Sequence, residues 1–130
     1  MATDKSAPSR TGSTEKEEVI IDAAGQPLGR LAVAIAHHLQ AKHKRNRHPT
    51  VDYPIQVKLT NVNKVVFTGT KLQDTIVYRQ TGYIGNTKEY RLGELWQRNP
   101  LRVIRAAVAG MLPKNRLRKH RLTRISIVRK

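Results

Sequence analysis

Eleven basic residues follow Glu94 with no acid among them: Arg98, Arg102, Arg105, Lys114, Arg116, Arg118, Lys119, Arg121, Arg124, Arg129 and Lys130. Guanidinium and ammonium groups bind phosphate oxygens through charge-assisted hydrogen bonds, and arginine can offer two parallel donors at once. Like charges held at close range repel, so a surface that meets only water mixes its signs. A one-sign stretch of this length fits a polyanion, and phosphate-rich nucleic acid is the usual one.

Three clusters carry this chemistry. The first is Lys42-His43-Lys44-Arg45-Asn46-Arg47-His48. Its bases are nearly consecutive and cannot share one helical face, so a loop is expected, able to follow an irregular phosphate backbone. The second is Arg98, Arg102 and Arg105, whose i, i+4, i+7 spacing predicts a basic ridge beside an apolar helix stripe. The third is Lys114, Arg116, Arg118, Lys119, Arg121 and Arg124, past Pro113, where the loss of period predicts an extended or irregular arm. Each cluster also has a plain reading as a solvated charged face, which leaves the missing acids unexplained. Among the aromatics, Tyr83 lies between glycines, where its ring can stack on a base or sugar. Tyr78, Tyr90 and Trp96 are expected in or at the rim of the core.

Enzymatic chemistry finds little support. Gly25 and Gly29 lack the third glycine of a dinucleotide fingerprint, and no phosphate-cradling glycine loop precedes a Lys-Ser or Lys-Thr pair. His37, His38, His43 and His48 are dense, but Asp52 is the only nearby acid and the flanking Lys and Arg repel a cation. Asp22, Asp52 and Asp74 could assemble a nuclease-type metal cluster only if the fold gathered them. No catalytic residue, metal site, cofactor or small-molecule substrate is expected.

The elements that must position these residues fit one compact body of 130 residues. Net charge is +16, and from Val19 onward 22 bases face 5 acids, an excess of 17. Cysteine is absent, which excludes disulfides and thiolate metal sites. No apolar run approaches the ~20 residues of a membrane helix. Residues 1–17 are polar with Pro8 and Gly12, and they lack the apolar stretch of a secretory signal. Asp4, Glu15 and Glu17 argue against a transit peptide. These residues are expected to be a disordered tail, followed by a single RNA-binding α/β domain over 18–130 with a basic extension from Pro113.

Val19-Ile20-Ile21 predicts a strand closed by the turn Asp22 to Pro27. Apolar residues at 28, 31, 35 and 39 then predict a helix over Leu28 to Ala41. A basic loop follows from 42 to 54. Residues 55 to 60 alternate and predict a strand with one wet face. Lys64 to Thr68 and Thr75 to Arg79 predict further strands, with a glycine-bearing loop at 81–86. Leu92 to Gln97 predicts a short helix. Asn99-Pro100 opens another, with asparagine as cap and proline in the first turn. Its expected stripe is Leu101, Ile104, Val108 and Met111. Ile125, Ile127 and Val128 predict a final strand, and no internal repeat is present.

Three segments in this order resemble the large-subunit ribosomal protein thirteen family of bacterial or organellar type. They are Asp22-Ala23-Ala24-Gly25-Gln26-Pro27-Leu28-Gly29-Arg30-Leu31-Ala32; Phe67-Thr68-Gly69-Thr70-Lys71-Leu72 leading to Tyr78-Arg79 and Thr81-Gly82-Tyr83; and Val108-Ala109-Gly110-Met111-Leu112-Pro113-Lys114-Asn115-Arg116-Leu117. The resemblance covers roughly residues 19 to 128. It implies a three-layer α/β/α fold around a small, mostly parallel sheet. It also implies a non-catalytic role in the large subunit, binding its rRNA early in assembly beside other large-subunit proteins. The location implied is the cytoplasmic ribosome before an organellar one. Carried across, Arg30, Lys42-His43-Lys44, Arg79 with Thr81-Gly82-Tyr83, and Lys114-Asn115-Arg116 are the matching positions for RNA contact, and Lys71 of the second segment is expected to bind RNA as well. Arg30 has the alternative of tying its helix to the sheet.

The chain departs from the family pattern in places. Gln80 stands where histidine is common, Ile84-Gly85-Asn86 where a glycine pair is usual, and Arg118 where glycine usually follows Leu117. Gln56 and Lys58 place that strand at an edge, or turn its polar face to RNA. Two rivals remain: a DNA-architectural or transcriptional protein, for which no helix-turn-helix spacing is evident, and a nuclease using Asp22 or Asp52.

Overall fold

The computed structural model describes residues 16–128. Among the described residues, five strands and five α-helices run in the order β1 (Glu17–Asp22), α1 (Leu28–Leu39), β2 (Ile55–Thr60), α2 (Lys71–Asp74), β3 (Ile76–Gln80), β4 (Thr87–Arg91), α3 (Leu92–Arg98), α4 (Pro100–Met111), α5 (Leu117–Thr123) and β5 (Ile125–Ile127). Most of the expected disordered tail lies outside the described residues, but Glu17 already belongs to β1.

Strands β1, β2 and β5 form a parallel sheet with β2 in the centre. Period-two alternation gives β2 a buried face of Ile55, Val57 and Leu59, against which β1 sets Val19 and Ile21 in register. Parallel neighbours need long crossovers, and α1 with the loop after it makes the first. Leu31, Ala32, Ile35 and Leu39 of α1 meet Ile104 and Val108 of α4 over Val57, Leu59 and Ile125, in one apolar core. The fold is therefore α/β with a small parallel sheet, as expected. The helices that build the core gather on this face. The opposite face carries Glu18, Ile20, Gln56 and Lys58, and Ile20 is 70% exposed.

An edge position for β2 is not what the structure has. Its lysine is tolerated at the centre because Lys58 Nζ reaches Glu18 Oε2 on the neighbouring strand at 2.6 Å. The strand expected over Lys64 to Thr68 is absent as well. Val62–Lys64 is a single 3-10 turn, and Val66 makes only a parallel bridge with Pro27. Val65 is buried by that turn without any ladder.

β3 and β4 form a separate antiparallel ribbon. Residues 81–86 connect them, with Gly82 at φ 95° and Gly85 at φ 77°, left-handed values that side chains resist. The Thr81 hydroxyl donates to the Asn86 carbonyl at 2.8 Å and closes the loop. Tyr78 is 61% exposed on this ribbon, so its expected place at the core rim is corrected. Phe67 and Trp96 pack against the same core from the side of α3, half-buried, and meet edge to face at 4.9 Å.

α4 starts where expected, with the Asn99 side chain accepting from the Arg102 amide at 3.2 Å. Its buried residues are Val103, Ile104 and Val108. Met111 is 40% exposed rather than buried, because the helix ends there and Leu112 turns back into the core instead.

Candidate nucleic-acid interface

The first cluster leaves α1 through a tight helix stop. Ala41 takes a left-handed φ of 53°, and the amides of Ala41 and Lys42 donate to the carbonyls of His38 and His37. The chain then folds around Tyr53, whose hydroxyl accepts from the His48 amide and donates to the Asn46 carbonyl. Lys44 Nζ lies 5.6 Å from the centre of the same ring. Glu17 of β1 holds two members of the cluster, Lys44 Nζ at 2.6 Å and His43 Nε2 at 3.1 Å. Chiefly through the Lys44 hydrogen bond, the Glu17 carboxyl is held below its ordinary range. Lys42 and Arg45 are exposed, and Arg47 is half-buried.

The third cluster is not an extended arm. Its centre is helix α5, begun by Asn115, whose side chain accepts from the Arg118 amide at 3.2 Å. Asn115 thus acts as a cap. Arg121 turns inward and is only 3% exposed, so its expected place on an RNA-facing surface is corrected. It faces Asp52, with Nε 3.6 Å from Oδ1. Arg124 grips the same carboxylate with both terminal nitrogens, at 3.0 and 2.5 Å, and donates to the Tyr53 carbonyl at 2.6 Å. Burial lowers the Arg121 pKa from its usual value, with the Asp52 carboxylate opposing. Two arginines of the arm therefore fasten α5 to the segment before β2. Lys114, Arg116 and Lys119 are exposed, while Arg118 is half-buried.

The ridge of the second cluster is also split. Arg102 is exposed on α4 and Arg98 is exposed at the end of α3, but Arg105 donates to the Ile125 carbonyl at 2.9 Å. Arg105 joins α4 to β5 instead of standing free.

The ribbon contributes Arg79 and the loop. Arg79 lies directly opposite Lys88, and both are exposed. Like charges facing across a pair are destabilising in water, and an anion above them removes the cost. Lys88 was not among the residues singled out by sequence, because only the pairing of β3 with β4 brings it to Arg79. Tyr83 is 81% exposed, and its neighbour Ile84 is completely exposed. Lys71 is exposed at the start of α2, its Nζ donating to Thr68 Oγ1 at 3.1 Å. Arg30 is exposed in the first turn of α1, where a cation opposes the helix dipole and an anion complements it. That exposure does not favour a strut to the sheet.

Five of the seven described acids have partners within the chain, and Glu89 and Glu94 are exposed. Glu17, Glu18 and Asp52 face basic side chains, Asp22 Oδ1 accepts from Asn61 and the Ala24 amide, and Asp74 accepts from Thr70. Asp22, Asp52 and Asp74 sit at three different places and do not form a cluster among the described residues. Exposed bases outnumber exposed acids among the described residues, so the surface is positive on balance.

Comparison with known proteins places this geometry. Residues 16–130 match the family model described as Ribosomal protein L13. A relative named Large ribosomal subunit protein uL13 from Dichelobacter nodosus is 44% identical over 115 residues, covering 88% of this chain and 80% of that protein. The protein of the same name from Mycobacterium tuberculosis is 47% identical over 108 residues, covering 83% and 74%. That from Methylococcus capsulatus is 43% identical over 113 residues, covering 87% and 80%. With its parallel α/β body and its outward-facing cations, this chain belongs to the ribosomal protein L13 family.

Proposed function

We propose that this chain is a structural component of the large ribosomal subunit that binds large-subunit rRNA without catalysis and supports early assembly. Residues 18–130 act as one RNA-binding domain in the cytoplasmic ribosome, beside other large-subunit proteins. The observation that carries this reading is the sorting of charge. Asp52, Glu17 and Glu18 are paired with basic side chains of this same chain, while Lys42, Arg45, Lys114, Arg116 and Lys119 stay exposed. Phosphates would be met by Arg30, the loop of Lys42 and Arg45, the Arg79–Lys88 pair, Arg102, and the cations flanking and on α5. Tyr83 stands ready to stack on an unpaired base. Shape and 2′-hydroxyl contacts, rather than major-groove reading, would give the preference for RNA.

Sedimentation of a lysate through a sucrose gradient, before and after a high-salt wash, tests the reading. Co-migration with large subunits through moderate salt is the expected result. Residence at the top of the gradient without rRNA would overturn it, and equal affinity for duplex DNA would favour an architectural role on DNA.

A further inference from the structure

A cleft of about 650 Å³ opens between the turn after β2, the junction of α3 with α4, and the end of β5. It lies apart from the loop at 42–48 and from α5, and none of the three basic clusters explains it as a whole. Its walls carry two cations, Lys64 and Arg98, and three amides, Asn61, Asn63 and Gln97, together with the Trp96 indole. Among the described residues, no aspartate or glutamate lines it. Val62 and Ile127 add apolar surface.

This set of groups selects among ligand classes. A free phosphate needs only the cations. An apolar side chain of a protein partner has no use for three amides and two charges. A nucleotide uses everything: a ring to stack on, amides offering donors and acceptors to a heterocycle edge, and cations for its phosphate. The volume falls within the roughly 300–1,000 Å³ common for small-ligand clefts. The walls are also fixed in advance. Phe67 holds Trp96 edge-on at 4.9 Å. Asn61 has a left-handed φ of 55°, and its Nδ2 donates to Asp22 Oδ1 at 2.9 Å, leaving its amide oxygen as the acceptor to spare. α4 begins at Pro100 on the same wall, which adds the positive end of a twelve-residue helix.

We propose that this cleft receives one unstacked nucleotide of the bound RNA, its base beside Trp96, its edge on the amides and its phosphate between Lys64 and Arg98. The proposal rests on the RNA-binding reading above and adds a site distinct from the phosphate-binding surface.

Trp96 is the only tryptophan of the chain, so its emission reports on this cleft alone. The full chain is titrated with purified large-subunit rRNA, following emission and filter binding in parallel. Saturation is expected to quench Trp96. The double variant Asn63→Ala, Gln97→Ala removes two exposed, uncharged groups. It should lose most of the quench and weaken binding roughly tenfold, with an unchanged salt slope. A variant of the distant loop, Lys42→Ala with Arg45→Ala, should weaken binding yet keep the full quench at saturation. Retained filter binding with silent Trp96 emission would overturn the cleft and leave the RNA-binding reading standing. Quenching by large-subunit proteins but not by rRNA would overturn it in favour of a protein partner. Loss of all filter binding would overturn both readings.

Discussion

At the residue scale, the carboxylate of Asp52 decides how the C-terminal cations are used. Arg121 is buried against it and Arg124 is bound to it by two hydrogen bonds, so these arginines act as fasteners rather than phosphate ligands. Removing one partner of a buried pair leaves an uncompensated charge, which costs more than the pair itself contributes. Asp52→Ala should therefore lower stability by about 3 kcal/mol in urea denaturation. Arg121→Met, which keeps the volume and leaves Asp52 to Arg124, should cost far less and leave rRNA affinity nearly unchanged. A large loss of affinity in that variant would return Arg121 to the interface. His38 supplies a second test. Burial first, then the neighbouring His43 and His37, hold its imidazole below the ordinary histidine range, against a smaller opposing pull from Glu17. Its Nδ1 is buried without a partner. A base with a depressed folded pKa binds protons more readily when unfolded, so stability is full above the ordinary histidine pKa and falls as pH drops through it. Melts at pH 7 and pH 5 should show that fall, and His38→Gln should flatten it.

At the element scale, what was legible in sequence follows from which contacts are apolar. The alternation of β2 fits its observed bounds, and Asn99-Pro100 fits the start of α4, because local chemistry determines both. Asn99→Ala should cost about 1 kcal/mol through loss of the cap, read as a shift of the denaturation midpoint at constant slope. α5 has no apolar signature in sequence because the buried residue on its inner face is an arginine. β4 lacks one for a related reason: Thr-Lys-Glu-Tyr-Arg has two wet faces, and only pairing with β3 defines it as a strand. The basic loop is legible as a loop, but its organisation about Tyr53 depends on a residue beyond the cluster. The clustered bases were legible as a group; which of them face outward was not. Arg105, Arg121 and Arg124 look like Lys114 and Arg116 in sequence, and only the folded positions of Ile125 and Asp52 separate them.

At the scale of the whole molecule, the excess of 17 positive charges over residues 19–130 must be neutralised on binding. If roughly 6 to 10 phosphates are engaged, affinity for large-subunit rRNA should fall about 10³- to 10⁵-fold between 50 and 200 mM salt. Filter binding across that range gives the slope, and a slope near zero would remove the electrostatic account. The topology carries a consequence for the order of events during synthesis. β2 sits between β1, which precedes it, and β5, which is formed by residues 125–127. Chains emerge and fold from the N-terminus. The sheet thus cannot close until residues 125–127 have been made, and Arg105 gains its Ile125 acceptor at the same moment. The cations around α5 are made just before that closing strand. A nascent chain held short of β5 would present much of its charge on an unfinished body, so completion of the sheet and readiness for RNA arrive together when β5 joins.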